Sequence, residues 1–186
     1  RGYADNGRVA VFTCNADGTL TFEQAYETGV QPDMVTFTPD DSRILTANEG
    51  EPREGYTDGA VDPAGTVTVI TLADGTAVNV DFTAYDTEEN RQQLADAGIV
   101  LKKGAAPSAD FEPEYVAAGN STAYVTLQEA NAIAVIDLES RQVSGVYSAG
   151  YEDYSRIAVD IDKKDEAYNP AVYESLRGIR MPDGIA

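Results

Sequence analysis

One internal repeat constrains this chain more than any other feature. "QPDMVTFTPDDSRILTANEG" (31–50) aligns with "EPEYVAAGNSTAYVTLQEA" (112–130). Pro113 follows Pro32 by 81 positions and Thr126 follows Thr46 by 80, so the intervening turn absorbs one residue. After each copy comes a further strand pair, "GTVTVITLADGTAVNVDF" and "AIAVIDLESRQVSGVYSAG". A third proline–acid pair, Pro182-Asp183, opens "MPDGIA". Repeats of this kind imply supersecondary units that bury their apolar faces on one another.

Each unit contains four short runs rich in Val, Ile, Thr, Tyr and Phe, which predicts strands. The expected strands are Arg8–Cys14, Leu20–Tyr26, Asp33–Phe37, Arg43–Ala47, Val67–Leu72, Val78–Phe82, Tyr115–Ala118, Ala123–Leu127, Ile133–Leu138 and Val143–Tyr147. Turn residues separate them, as in Asn15-Ala16-Asp17-Gly18, Ala73-Asp74-Gly75 and Gly119-Asn120-Ser121. Close spacing and tight turns mean antiparallel pairing. The expected fold class is therefore all-β, a segment of a β-propeller with four-stranded antiparallel blades and a short helical insert between them. Propeller repeats typically run about 40–45 residues, and inserts lengthen the spacing here.

The expected organisation is the last two strands of a preceding blade in 1–30, a blade in 31–82 and a helical insert in 83–112. A second blade follows in 113–150, then an insert in 151–181 and the start of another blade in 182–186. One propeller domain, incomplete in this sequence, holds them all, and the remaining blades are its expected partner. In the first insert Thr87 caps a helix over Glu88–Ala97, with Glu88 and Glu89 in its positive first turn and Gly98 after its end. A second helix or turn is expected near Ala171–Leu176, and neither segment is expected to enter the core.

Composition excludes several chemistries. The net charge is −19, from 32 Asp+Glu against 13 Lys+Arg, which disfavours nucleic-acid binding. No histidine is present, which removes the commonest general base and zinc ligand. The single cysteine, Cys14, reads as a small apolar strand residue. No run of about 18 apolar residues exists, so no transmembrane segment is expected. No signal peptide is visible, and Arg1-Gly2-Tyr3 does not read as a natural start, so a mature chain, a trimmed chain or a fragment is expected.

"LTANEGEPREG" (45–55), "DFEPEYVAAGNSTAYVTLQEANAIAVIDL" (110–138), "NRQQLADAGIVL" (90–101) and "MPDGIA" (181–186) resemble the choice-of-anchor I propeller proteins. Relatives in that family are often named alkaline-phosphatase-like or mesenchyme-specific cell-surface glycoprotein. The resemblance runs from about Gly7 to Ala186. It implies a seven-bladed-type propeller in an exported bacterial protein, extracellular, periplasmic or attached to the cell surface, and sometimes joined to a metallophosphatase domain. The chain departs from a phosphatase pattern, having no histidine, no recognisable nucleophile motif and no two-metal cluster.

In a blade the first strand is innermost and antiparallel to the second. The start of one and the end of the other then share a face. Asp33 should therefore neighbour Glu49, and Glu114 should neighbour Glu129, with Asp183 beginning the same pattern again. Glu51, Glu54, Asp58 and Asp62 follow on the same rim. Carboxylates of this kind, with amide oxygens of Asn48 or Gln128, suit a hard cation such as Ca²⁺. The competing reading is structural: the acids bond turn amides, and Arg53 or Arg156 neutralises them. Asp33, Glu49, Glu114 and Glu129 are the leading metal-ligand candidates, with Asn48, Gln128, Glu51 and Asp183 behind them. Glu54, Asp58 and Asp62 read as solvated.

"DIDKKDEAYNP" (160–170) reads as a charged loop with Asp160, Asp162, Asp165 and Glu166, less readily as a calcium site. "NST" (120–122) matches a glycosylation acceptor in a tight turn. Tyr151 and Tyr154 suit a sugar or peptide groove or, more simply, a blade edge. The expected function is binding or scaffolding at the cell envelope, with the ligand unidentified. A metal-dependent phosphatase-like or esterase-like hydrolase completed by other regions is the alternative, and a purely structural adhesion module is a third.

Overall fold

The computed structural model describes residues 4–57, 59–162 and 164–186. Asp58, expected on the rim, lies outside the described residues. Strands β1 (Asn6–Cys14) and β2 (Leu20–Val30) form an antiparallel hairpin. β3 (Pro32–Phe37), β4 (Arg43–Asn48), β5 (Thr66–Thr71) and β6 (Thr76–Val80) form a four-stranded sheet in sequence order. β7 (Pro113–Ala118), β8 (Thr122–Leu127), β9 (Ala132–Asp137) and β10 (Gln142–Ser148) form a second sheet of the same order. Every pairing within the two sheets is antiparallel. The fold is all-β, and each of the ten expected strands is present within a few residues of its expected ends.

The period of two explains the layering. Leu45 and Ala47 of β4 and Val67 and Val69 of β5 point to one side. There they join Val116, Val125, Leu127, Ala134 and Ile136 of the second sheet in one buried core. Ile44 and Ile70 point to the other side and pack with Tyr26 of the hairpin. The first sheet is thus covered on both faces, which is why β4 is buried almost throughout. β3 and β4 lie against β7, bringing the opening strands of the two sheets together.

A short 3-10 turn (Thr83–Tyr85), helix α1 (Glu88–Asp96) and a single turn α2 (Pro107–Asp110) fill the connection between the sheets. The Thr87 hydroxyl accepts from Asn90 N at 3.2 Å, the expected cap. Contrary to expectation, this insert does enter the core. Leu94 and Ile99 are buried there, beside the edge-to-face pair Phe82–Phe111 at 5.3 Å. Leu94 is the one large apolar side chain in α1, which gives little amphipathic signal, so the sequence hid the contact.

The region 151–181 forms a hairpin of β11 (Tyr151–Asp153) and β12 (Arg177–Ile179), neither expected. No helix forms at Ala171–Leu176. Ala171 bridges to Val159, and a turn at Glu174-Ser175 leads into β12. Cys14 is an exposed free thiol at the end of β1.

Candidate functional site

The residues that open β3 and β7 share a geometry the sequence did not reveal. Pro32 pairs with Asn48, and the register then slips before Met34. Pro113 pairs with Leu127, and the register slips before Val116. Asp33 and Glu114 both sit in these irregularities. A bulge re-aims its side chain relative to the regular pleat.

Beyond β4 the chain stays tied to the start of β3. Glu49 N donates to Gln31 O at 3.0 Å, and the Gln31 side-chain amide donates to the Glu49 carboxylate. Glu129 lies in the β8–β9 turn, closed by Asn131 N donating to Gln128 O at 2.9 Å.

These acids form one electrostatic set. Burial, then the charges of Glu49, Glu129, Asp33 and Asp183, push the Glu114 carboxyl up to about 7. Glu49 is also raised, by burial first, against the Gln31 hydrogen bond, and then by Glu51, Asp33 and Glu112. Glu129 is raised by burial, with Glu112 and Glu51 adding to it and Lys102 opposing. Its Oε2 is buried and accepts no hydrogen bond among the described residues. Asp183 is exposed, and its carbonyl accepts from the Thr126 hydroxyl at 3.1 Å.

Lys102, which lies outside the repeat, opposes the rise at Glu129 and pairs with two further acids, Asp110 and Glu112. Its ammonium lies 3.1 Å from Glu112 Oε1 and 3.2 Å from Asp110 Oδ1, and both acids are almost wholly buried. Tyr56 OH donates to Glu112 Oε1 at 2.7 Å, and the ammonium sits 3.6 Å above the Tyr56 ring centre. Burial opposes the Lys102 charge, but Glu112 and Asp110 hold its pKa above the ordinary value. Neither expected arginine plays this part. Arg53 is exposed, and Arg156, 85% exposed, pairs with Asp153 at 3.8 Å. Glu112 was findable, because it aligns with Gln31, which contacts Glu49.

The remaining candidates divide. Asn48 is fully buried and faces inward: its Oδ1 accepts from Thr46, and its Nδ2 donates to Thr66 and Thr68. It organises the core rather than the rim. Gln128 is half-buried beside Glu129, and Glu51 and Glu54 are exposed. Asp62 lies close enough to feel Lys102 and Asp110, with burial raising its pKa. Among the described residues no three acidic or thiol side chains converge closely enough to hold a metal ion. In 160–170, Asp160 and Asp165 accept from nearby backbone amides, as turn residues do. Asn120 Oδ1 accepts from Asp40 N at 3.1 Å, linking equivalent turns of the two sheets.

No described helix is long and apolar enough to cross a membrane. No curated protein matches the chain. The family model of the choice-of-anchor I domain, however, matches residues 1–186, so the chain belongs to that family, a membership that implies a cell-surface or exported protein.

Proposed function

We infer that the protein is a binding or scaffolding module at the cell envelope, built as part of a β-propeller whose acidic rim takes cationic groups. In this reading the two sheets are successive blades, 31–82 and 113–150. The hairpin in 1–30 ends an earlier blade, 83–112 and 151–181 are inserts, and 182–186 begins the next. Two features support that assignment. The second sheet leaves Tyr115 and Tyr124 exposed on the face away from the first. Asp183 O also meets Thr126 on that face.

The observation that carries the rim is the coupling of Glu114 to Glu49, Glu129 and Asp33, acids at or beside equivalent strand ends, and to Asp183 in the segment after β12. Like charges held together raise one another's pKa, and a cation relieves that repulsion. The described carboxylates do not converge as a preformed metal centre. The rim therefore acts as an acidic field that attracts a cationic group of a partner, or calcium shared among neighbouring acids. Thermal melting tests this. Calcium should raise the midpoint, and chelator should reverse the rise. A Glu49→Gln/Glu114→Gln double variant should respond less. No shift, or the same shift in the variant, would reject a rim that takes calcium.

A further inference from the structure

A cleft of about 260 Å³ lies between α1 and the edge strand β10. Its lining includes Tyr85, Tyr147, Asn90, Gln93 and, at its base, Leu94 and Val146. In a chain with 32 acids and 13 bases, no lining residue carries a charge. A metal ion would find no carboxylate here and a phosphate no cation. A neutral ligand is what the lining can recognise.

The walls are held in place. Tyr85 is fixed edge-to-face on Phe111, with centroids 6.3 Å apart. Tyr147 is 61% exposed, and its ring lies across Gly145 of the same strand. A Cβ at position 145 would come within 2.8 Å of the ring carbon Cε2 and 2.9 Å of Cζ, so this placement requires glycine. The end of α1 is tied to β10 and β11. Gly98 O accepts from the Ser148 hydroxyl at 3.1 Å and from the Tyr151 hydroxyl at 2.7 Å.

The polar atoms are arranged for a ligand rich in hydroxyls. Asn90 Nδ2 donates to Ala84 O at 2.6 Å, and Gln93 Nε2 reaches Glu89 at 3.4 Å. Both amide oxygens are left as acceptors. The Tyr85 and Tyr147 hydroxyls make no hydrogen bond among the described residues, so each can donate and accept. Aromatic faces beside amide acceptors suit a ring with an apolar C–H face and a hydroxyl edge. The volume lies below the roughly 300–1,000 Å³ of sites for drug-sized ligands, which fits a single ring.

We propose that this cleft is a subsite for a neutral saccharide, one pyranose unit seated between Tyr85 and Tyr147. Saturation-transfer NMR on the intact protein tests it, with glucose, galactose and N-acetylglucosamine as probes. At least one should receive transfer at its ring C–H protons. Tyr147→Ala, at an exposed position that should leave folding intact, should cut that transfer several-fold. Gly145→Ala, which displaces the ring, should also reduce it, and Glu54→Gln, in the exposed β4–β5 loop, should leave it unchanged. No transfer to any of the three sugars, or transfer that survives Tyr147→Ala, would overturn the proposal.

Discussion

The Tyr56 hydroxyl donates a 2.7 Å hydrogen bond to Glu112 Oε1, tying the β4–β5 loop to the residue before β7. Lys102 completes the tie from within the insert, so the β4–β5 loop and the insert meet on the buried Glu112, with Asp110 beside it. Removing one partner of such a group leaves its charge buried and uncompensated. Lys102→Met should therefore cost about 3 kcal/mol, the low end for a buried pair because the lysine itself is one-third exposed. Tyr56→Phe removes only a charged-acceptor hydrogen bond and should cost about 1.5 kcal/mol. Urea denaturation measures both. A Lys102→Met loss below about 1 kcal/mol would class the tie with ordinary surface ion pairs.

The acids around Glu114 make stability depend on pH with a definite sign. Glu114 has a folded pKa of about 7 against an ordinary 4.5, so the folded state holds its proton more tightly. Its contribution is fully present below pH 4.5 and is lost as pH rises through about 7. Glu49 and Glu129 are shifted in the same direction. Asp40 works the other way. Hydrogen bonds from Thr38 and Ser42 lower it to about 2, so its contribution holds above its ordinary 3.8 and fades as pH falls towards 2. The melting midpoint should thus decline between pH 4.5 and 7, and Glu114→Gln should flatten that decline. An equal slope in the variant would mean that Glu114 is not the titrating group.

The sequence disclosed the strands and the mutual closeness of the acids flanking them for the same reason. β-Branched runs bounded by turn residues repeat with a nearly fixed offset, and antiparallel geometry then puts Asp33 by Glu49 and Glu114 by Glu129. Lys102 and Tyr56 were not legible, because both lie in connections outside the repeat, where no periodicity assigns a side chain to a surface. Asn48 was misplaced for a subtler reason. Its position at the end of β4 suggested the rim, but the period of two turns it towards the hairpin, where threonines of three neighbouring positions satisfy its amide. The bulges at Asp33 and Glu114 leave no mark in composition at all.

The same buried amide sets up a test of the hairpin's docking. Gly29 N donates to Thr68 Oγ1 at 3.2 Å where β2 crosses the first sheet. A Cβ at position 29 would come within 2.1 Å of Thr66 Oγ1 and 2.9 Å of Asn48 Nδ2. The hairpin has to lift, or the threonine–asparagine network has to break. Gly29→Ala should cost about 1–3 kcal/mol through overpacking. Amide exchange should quicken in β2 and around Asn48 while the second sheet keeps its protection. Unchanged exchange in β2 would contradict so close an approach.

Asn131 anchors the segment that leads to Asp183. Its Oδ1 accepts from Arg180 N at 2.9 Å and Met181 N at 3.2 Å, and its Nδ2 donates to Gly150 O at 2.9 Å. The residue is fully buried with φ +52, a region asparagine tolerates better than most. Asn131→Gly keeps the backbone freedom and deletes the amide, so it isolates the side chain's part. Unmet buried groups cost about 1–3 kcal/mol each, less where water reaches them. A total loss of about 2–3 kcal/mol is expected, with fast amide exchange at Arg180 and Met181. Because Asp183 acts on Glu114, freeing this segment should also lower the Glu114 pKa, read by carboxyl NMR titration. Fast exchange without that change would show that the segment holds its place near the rim by other contacts.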